Sequence, residues 1–336
     1  MWLARATAAA DNPARPTPVV THSEEVVVGR IVINTHVLRT STGAPITGLG
    51  RSDFRVEIDG RGVPLESAEW VQESTETAEA SQEPTGRMIL LLFQWEIANQ
   101  KQEGFVRMQR QARNFIESLQ PQDRVAVALL SARLWLLQDF TADHRQVADV
   151  VGNLLTRRFE LHAADREPSL ARSLPGGGEN ATSIEAALLA LGKGLEPIPG
   201  NKSLILFGWG AGVWQPTFQN QRTGFVRESP EYSPARRALN QAETAVFCLD
   251  TSDGEHSLAA GLERVAFDTG GFYLPTYLFP RFAMDRVSKA LRGYYALVAV
   301  KPAGKKGRHE IVVRVRTGPS GAIVLHRTGY DDGEEP

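Results

Sequence analysis

The sequence predicts an α/β protein: a doubly wound, mostly parallel sheet inserted in a small β-sandwich formed by the N- and C-terminal segments. Three observations predict it. Between residues 87 and 292, apolar strand-length runs alternate with amphipathic helical stretches, as in "RMILLLF" before "QEGFVRMQRQARNFIESL". Continuously apolar strands are buried on both faces, which a parallel sheet covered by helices requires. The two ends of the chain hold strands without helices, about three in each, and so few strands bury a sheet face poorly alone.

The elements follow in order. Residues 1–23 are rich in Ala, Pro and Thr and read as a disordered leader. Its "ATAAAD" resembles the small-residue end of a signal peptide, without the apolar stretch of about 7–15 residues such a peptide carries. Residues 24–73 are the first part of the sandwich. "EEVVVGRIVINTHVL" puts Ile31, Ile33, Thr35 and Val37 on one side and Arg30, Asn34 and His36 on the other, a period of two. "FRVEIDGRGVPLESAEWVQ" gives a strand, an Asp59-Gly60 turn and a second strand. Residues 74–86 are a polar linker.

Residues 87–292 form the α/β domain. Strand Met88–Phe93 precedes a helix from about Gln102 to Leu119, with Phe105, Met108, Ala112, Phe115, Ile116 and Leu119 on one face. "DRVAVALLS" and "RLWLLQDF" are strands, and "TADHRQVADVVGNLLTRRF" and "ENATSIEAALLALGKGL" are helices. "KSLILFG" is a strand. "SPARRALNQAETA" is a helix opened by Ser233 as cap and Pro234 in its first turn. "AVFCLD" is a strand, and "SLAAGLERVAFDTGG" is a helix stopped by Gly270-Gly271. A short "FYL" and a helix from about Leu278 to Leu291 complete the domain. Residues 293–330 supply "YYALVAVK", "HEIVVRVR" and "AIVLHR" as the second part of the sandwich, and 331–336 are an acidic tail.

Composition excludes some functions. The 336 residues carry a formal net charge of -2, without the basic excess of a general nucleic-acid binder. No stretch approaches the roughly 20 apolar residues of a membrane helix. The single cysteine, Cys248, lies in an apolar run and reads as a small buried hydrophobe. The seven histidines show no H-x-x-x-H or H-E-x-x-H spacing, so zinc is not expected.

Several stretches, in order, resemble the von Willebrand factor type A (VWFA)-related proteins of acidobacterial type, over about residues 24–330. They are "LGRSDFRVEIDGRGVP", "LQPQDRVAVALLSARLWLLQDFTAD", "GGGENATSIEAALLAL", "NKSLILFGWGAG", "LERVAFDTGGFYL" and "RGYYALVAVKPAGKKGRHEIVVRVR" with the closing "RTGY". The resemblance implies a Rossmann-like, doubly wound fold, an extracytoplasmic bacterial setting and binding of protein partners. It also implies a metal-ion-dependent adhesion site, built from Asp-x-Ser-x-Ser after the first strand, a later Thr and an Asp after the fourth strand. Magnesium needs such oxygen ligands, with carboxylate to offset its charge.

Position by position, this chain departs from that site. The first Asp falls on Gln94, the serines on Glu96 and Ala98, the Thr on Thr182 and the later Asp on Trp209. Only Thr182 matches in type, and Thr182-Ser183-Ile184-Glu185 also reads as a capping box opening a helix. No metal ion and no cofactor is therefore expected. What replaces the ligands is aromatic: Trp95, Trp209 and Trp214 share these loops, either as a partner-binding patch or as space-filling rings.

Other motifs carry less. "PGGGEN" precedes a helix but lacks the Lys-Ser/Thr of a phosphate loop. "GWGAG" has no nucleophilic serine. Asp250-Thr251-Ser252-Asp253 clusters oxygen ligands after a strand and reads as a loop with a cap. The sequence thus predicts a non-enzymatic, VWFA-like interaction protein with a degenerate adhesion site and a partner surface at Trp95, Glu96, Thr182, Trp209 and Trp214. Its alternatives are a magnesium-dependent module using Glu96, Thr182 and Asp250, a structural envelope component whose top face is covered by the β-sandwich or another copy, and, last, an α/β hydrolase-type enzyme.

Overall fold

The structure is a computed structural model that describes residues 29–72, 86–95, 102–156, 159–164, 166–217, 220–302, 306–316 and 321–333. The leader, nearly all of the linker, Glu96 and the last three residues of the acidic tail lie outside the described residues. The N-terminal part forms β1 (Arg30–Arg39), β2 (Phe54–Ile58), β3 (Arg61–Val63) and β4 (Leu65–Gln72). The middle part begins β5 (Met88–Gln94), α1 (Gln102–Glu117), β6 (Arg124–Leu130), β7 (Leu134–Thr141), α2 (His144–Gly152), α3 (Leu170–Ser173) and α4 (Ile184–Leu195). It continues β8 (Lys202–Gly208), β9 (Val213–Thr217), β10 (Asn220–Arg227), α5 (Tyr232–Gln241), β11 (Thr244–Asp250), α6 (Ala259–Thr269), β12 (Tyr273–Pro275) and α7 (Pro280–Ala290). The C-terminal part adds β13 (Gly293–Val300), β14 (Arg308–Val315), β15 (Ala322–His326) and β16 (Gly329–Asp331).

The middle part is a six-stranded sheet in the order β12-β11-β8-β5-β6-β7. Every neighbouring pair is parallel except β6 and β7. The unbroken apolar run of β5 follows from this position. Met88, Leu90 and Leu92 pack in one core with α3, α4, α5 and α6, while Ile89, Leu91 and Phe93 pack in the other with α1, α2 and α7. Alternate residues point to opposite faces, so a strand covered on both sides has no polar position to spare.

The two ends of the chain fold together. β15-β1-β13-β4 make one four-stranded antiparallel sheet and β16-β14-β2-β3 another. Their facing residues share one core: Ile31, Ile33, Tyr295 and Leu297 from the first, Phe54, Val56, Ile311 and Val313 from the second. Pro64 explains why the second strand of the expected hairpin is two strands here. The chain passes from β3, paired with β2, to β4, paired with β13, at this residue. The expected Asp59-Gly60 turn is present, with both residues at positive φ, 50° and 74°. That geometry matches the twist of the flanking strands.

Three local expectations change. The cap of α4 is Ser183, whose hydroxyl accepts from Ala186 N at 3.0 Å, and Thr182 is exposed. The expected T-x-x-E box is therefore not formed, because with Ser183 as cap the third helical residue is Ala186, which has no carboxylate to complete it. The cap residue of α5 is Glu231 rather than Ser233. The hairpin β9–β10, unforeseen in the sequence, follows β8.

The paired sheets pack on the end of the α/β part where strands begin and helices finish. Asn34 Nδ2 donates to Asn201 at 3.1 Å, the Arg327 guanidinium donates to Asn240 O at the end of α5, and Thr328 N donates to Asp268 O near the end of α6. Among the described residues, these bonds lie away from the opposite end, where the parallel strands finish. The structural-envelope alternative has the top face covered by the sandwich or by another copy; these contacts lie at the other end.

Candidate functional site

Strand order fixes where a ligand crevice would lie. From β5 the chain lays β6 and then β7 to one side, and returns to place β8 on the other. Loops leaving β5 and β8 diverge, and open α/β sheets bind ligands in such a crevice, outside the carboxyl ends of the strands. Gln94 ends β5, and Gly208-Trp209-Gly210 follow at the end of β8.

The crevice is closed by Gln94. The residue is 7% exposed. Oε1 accepts from Trp209 N at 3.0 Å, and Nε2 donates to Gly210 O at 3.1 Å. A primary amide can do both at once, whereas a carboxylate can only accept. The glycines let the loop come this close. A Cβ on Gly208 would lie 2.9 Å from Gln94 Oε1, and one on Gly210 would lie 2.6 Å from the Leu258 side chain.

The sequence-predicted residues scatter around this plug. Trp95 continues from β5, with its N–H donating to Leu130 O at 2.7 Å. Its ring meets Phe105 edge-on, 4.8 Å between centroids, and is half-buried against the core. Trp209 is also half-buried. Trp214 stands on β9 and is 40% exposed, beside exposed Val213 and Phe225 of the same hairpin. Thr182 is exposed on the loop before α4, and Glu96 lies outside the described residues. The structure thus brings Gln94 and Trp209 together, puts Trp95 into the packing around Phe105, and leaves Trp214 as the open ring.

These residues do not fit a magnesium ion. The first ligand place holds an amide whose oxygen and nitrogen both bond main chain, and the last holds Trp209. Glu185, the acid of the expected box, is buried and turns to the β8 loop, where Oε1 accepts from Gly212 N. Among the described residues, no group of three or more His, Cys, Asp and Glu side chains is placed to hold a metal.

Asp250, at the end of β11, is engaged as well. Oδ2 accepts from His256 Nε2 and from Tyr273 OH, each at 2.8 Å, and Oδ1 accepts from Ser252 N at 2.9 Å. Burial first, and the bond to Asp250 second, push the Tyr273 hydroxyl's pKa up. Ser252 Oγ lies 2.9 Å from His256 Nε2, the nitrogen Asp250 already uses. A hydrolytic triad needs serine and aspartate on opposite ring nitrogens. The trio therefore ties a loop and activates no nucleophile. Sequence reading missed His256 and Tyr273; the only signal was a histidine six residues after Asp250 in one loop.

No family model matches the chain, and no curated protein sequence matches it. Among solved structures, the chain is similar to BatB from Bacteroides thetaiotaomicron, at 12% identity over 61% of this chain and 98% of that one, with a TM-score of 0.38. It is similar to an aerotolerance-related membrane protein from Bacteroides fragilis, at 11% identity over 61% and 98%, TM-score 0.41. It is also similar to a von Willebrand factor type A protein from Catenulispora acidiphila, at 10% identity over 90% and 75%, TM-score 0.42. Likenesses this distant say nothing of what this chain binds.

Proposed function

We propose that this chain is a non-enzymatic protein-interaction module of VWFA type, resembling the acidobacterial members, whose metal-ion-dependent adhesion site is degenerate. The observation that carries the reading is the Gln94 amide. It spans β5 and the β8 loop where a metal with its waters would otherwise join them. On this reading the two four-stranded sheets are a β-sandwich into which the α/β domain is inserted, and the setting is extracytoplasmic. The partner surface is the top face, from Thr182 and Glu96 to the hairpin, with Trp214 as its exposed anchor. Trp95 and Trp209 support it from beneath. An aromatic ring flanked by apolar neighbours is the usual centre of a protein interface.

Isothermal titration with Mg²⁺ and with Mn²⁺ separates this from the magnesium-dependent alternative. The expected outcome is no saturable heat with either ion. Micromolar binding that disappears in Glu96→Ala defeats the degenerate-site reading. For the enzymatic alternative, turnover in a panel of ester, phosphate and peptide substrates, abolished by a top-face substitution, would overturn the assignment.

A further inference from the structure

Beside the top face, the edge strand β12 leads into a segment whose composition differs from the rest of the surface. Residues 269–284, "TGGFYLPTYLFPRFAM", contain no aspartate or glutamate and one charge, Arg281. They contain Phe272, Tyr273, Tyr277, Phe279 and Phe282. Phe272 packs inward, 5.0 Å from Phe247. Tyr273 is half-buried, with its hydroxyl on Asp250, and Tyr277 is half-buried as well. Leu278 and Phe279 are each 66% exposed, and Phe282 is 45% exposed.

These side chains project from a bend and from the first turn of α7, and do not line a groove. β12 runs parallel to β11, with Pro275 beside Asp250, so the bend lies at the top rim. The bend is anchored. Thr276 donates to Asp250 O through both N–H and Oγ1, at 3.0 and 2.6 Å. The helix behind it is anchored too, because Arg286 Nη1 donates to Thr40 O and Lys289 Nζ to Thr42 O. The acids that flank the segment are both paired, Asp268 with Arg264 at 2.9 Å and Asp285 with Lys289 at 2.7 Å. A rigid base thus holds three large apolar groups in water with a cation among them.

We propose that Leu278, Phe279 and Phe282 insert into an anionic lipid surface, with Arg281 meeting its phosphates. Aromatic and leucine side chains partition into the boundary between headgroups and acyl chains, and a basic residue beside them is drawn to anionic lipid. Arginine suits the position because its stem lies along apolar material while the guanidinium stays at headgroup level. The segment itself carries no acid to repel the lipid phosphates. Fluid lipid accepts separate protruding groups, whereas a protein partner must offer a matching recess for each.

Co-sedimentation of the full chain with vesicles tests the proposal. One composition is phosphatidylcholine with phosphatidylglycerol, the other phosphatidylcholine alone. The protein is expected to sediment with the anionic vesicles. Phe279→Ser with Phe282→Ser is expected to lower partitioning by about tenfold per ring. Arg281→Glu is expected to lower it severalfold on the anionic vesicles and little on the neutral ones. Trp214→Ala is expected to leave it unchanged, which keeps this outcome separate from the fate of the interaction surface. Thermal midpoints equal to that of the parent show that the variants fold. Failure of the parent to bind either vesicle overturns the proposal, as does undiminished binding by the double variant. So does a dimer in solution that the double variant converts to monomer, because the apolar groups then belong to a contact between copies.

Discussion

Gln94 shows how one residue type decides what a strand end can do. It bonds Trp209 N–H and Gly210 O, and leucine would keep its bulk and lose both bonds. A buried donor and acceptor left unmet each cost about 1–3 kcal/mol, so Gln94→Leu is expected to destabilise the fold by roughly 2–4 kcal/mol in urea titration. A neutral effect would mean that the amide closes nothing. His36 supplies a second expectation. Burial strips its imidazolium of water and pushes its pKa down to about 4 from an ordinary 6.5. Below pH 6.5 the unfolded chain takes up a proton that the folded chain refuses. His36 therefore contributes fully above pH 6.5, and roughly 3 kcal/mol of stability is lost as pH falls to 4. His326, also pushed down by burial, acts in the same direction. The slope should flatten in His36→Phe, read from urea midpoints at neutral and acidic pH. At this scale the sequence was partly legible. That Gln94 ends a buried strand could be read, but not its two bonds, because they join residues more than a hundred apart. His36 sat on the side of β1 expected to be polar, and nothing local reveals that the α/β part covers that side.

Elements were the most legible scale, since periodicity is local. The strands of the parallel sheet and the apolar faces of α1, α2 and α4 fall where alternation and helical spacing put them. Gly270 stops α6 in a left-handed conformation, φ 86°, as a glycine after a helix suggests. Caps were less legible, because Thr182 and Ser183 are both good cap residues and packing chooses between them. The hairpin β9–β10 was hidden because "GWGAGVW" reads as loop. Close approach of elements was invisible as well. Gly104, in the first turn of α1, packs so tightly on the β11 loop that a Cβ there would lie 1.8 Å from Thr251 O. Gly104→Ala should push α1 off that loop and lower stability by about 1–3 kcal/mol, the usual cost of overpacking. A thermal midpoint equal to the parent's would show that α1 sits elsewhere.

For the whole molecule, the division into an α/β part between two β ends was readable from texture alone. What texture does not show is that the strands of both ends interleave. β13 lies between β1 and β4, and β14 between β2 and β16. Removal of residues 293–336 should therefore unfold β1–β4 as well, with loss of β signal in circular dichroism beyond the deleted strands. A retained N-terminal sheet would contradict this topology. The same arrangement puts the β ends at the base of the α/β part, at the end opposite the top face, where the Gln94 plug sits in the switch-point crevice. The most direct measurement of that central claim is Mn²⁺ titration followed by nuclear magnetic resonance, watching the Gln94 side-chain amide and the Trp209 backbone amide. The account predicts that neither signal broadens selectively, because no ion enters the crevice. Saturable broadening centred on these two amides would contradict it.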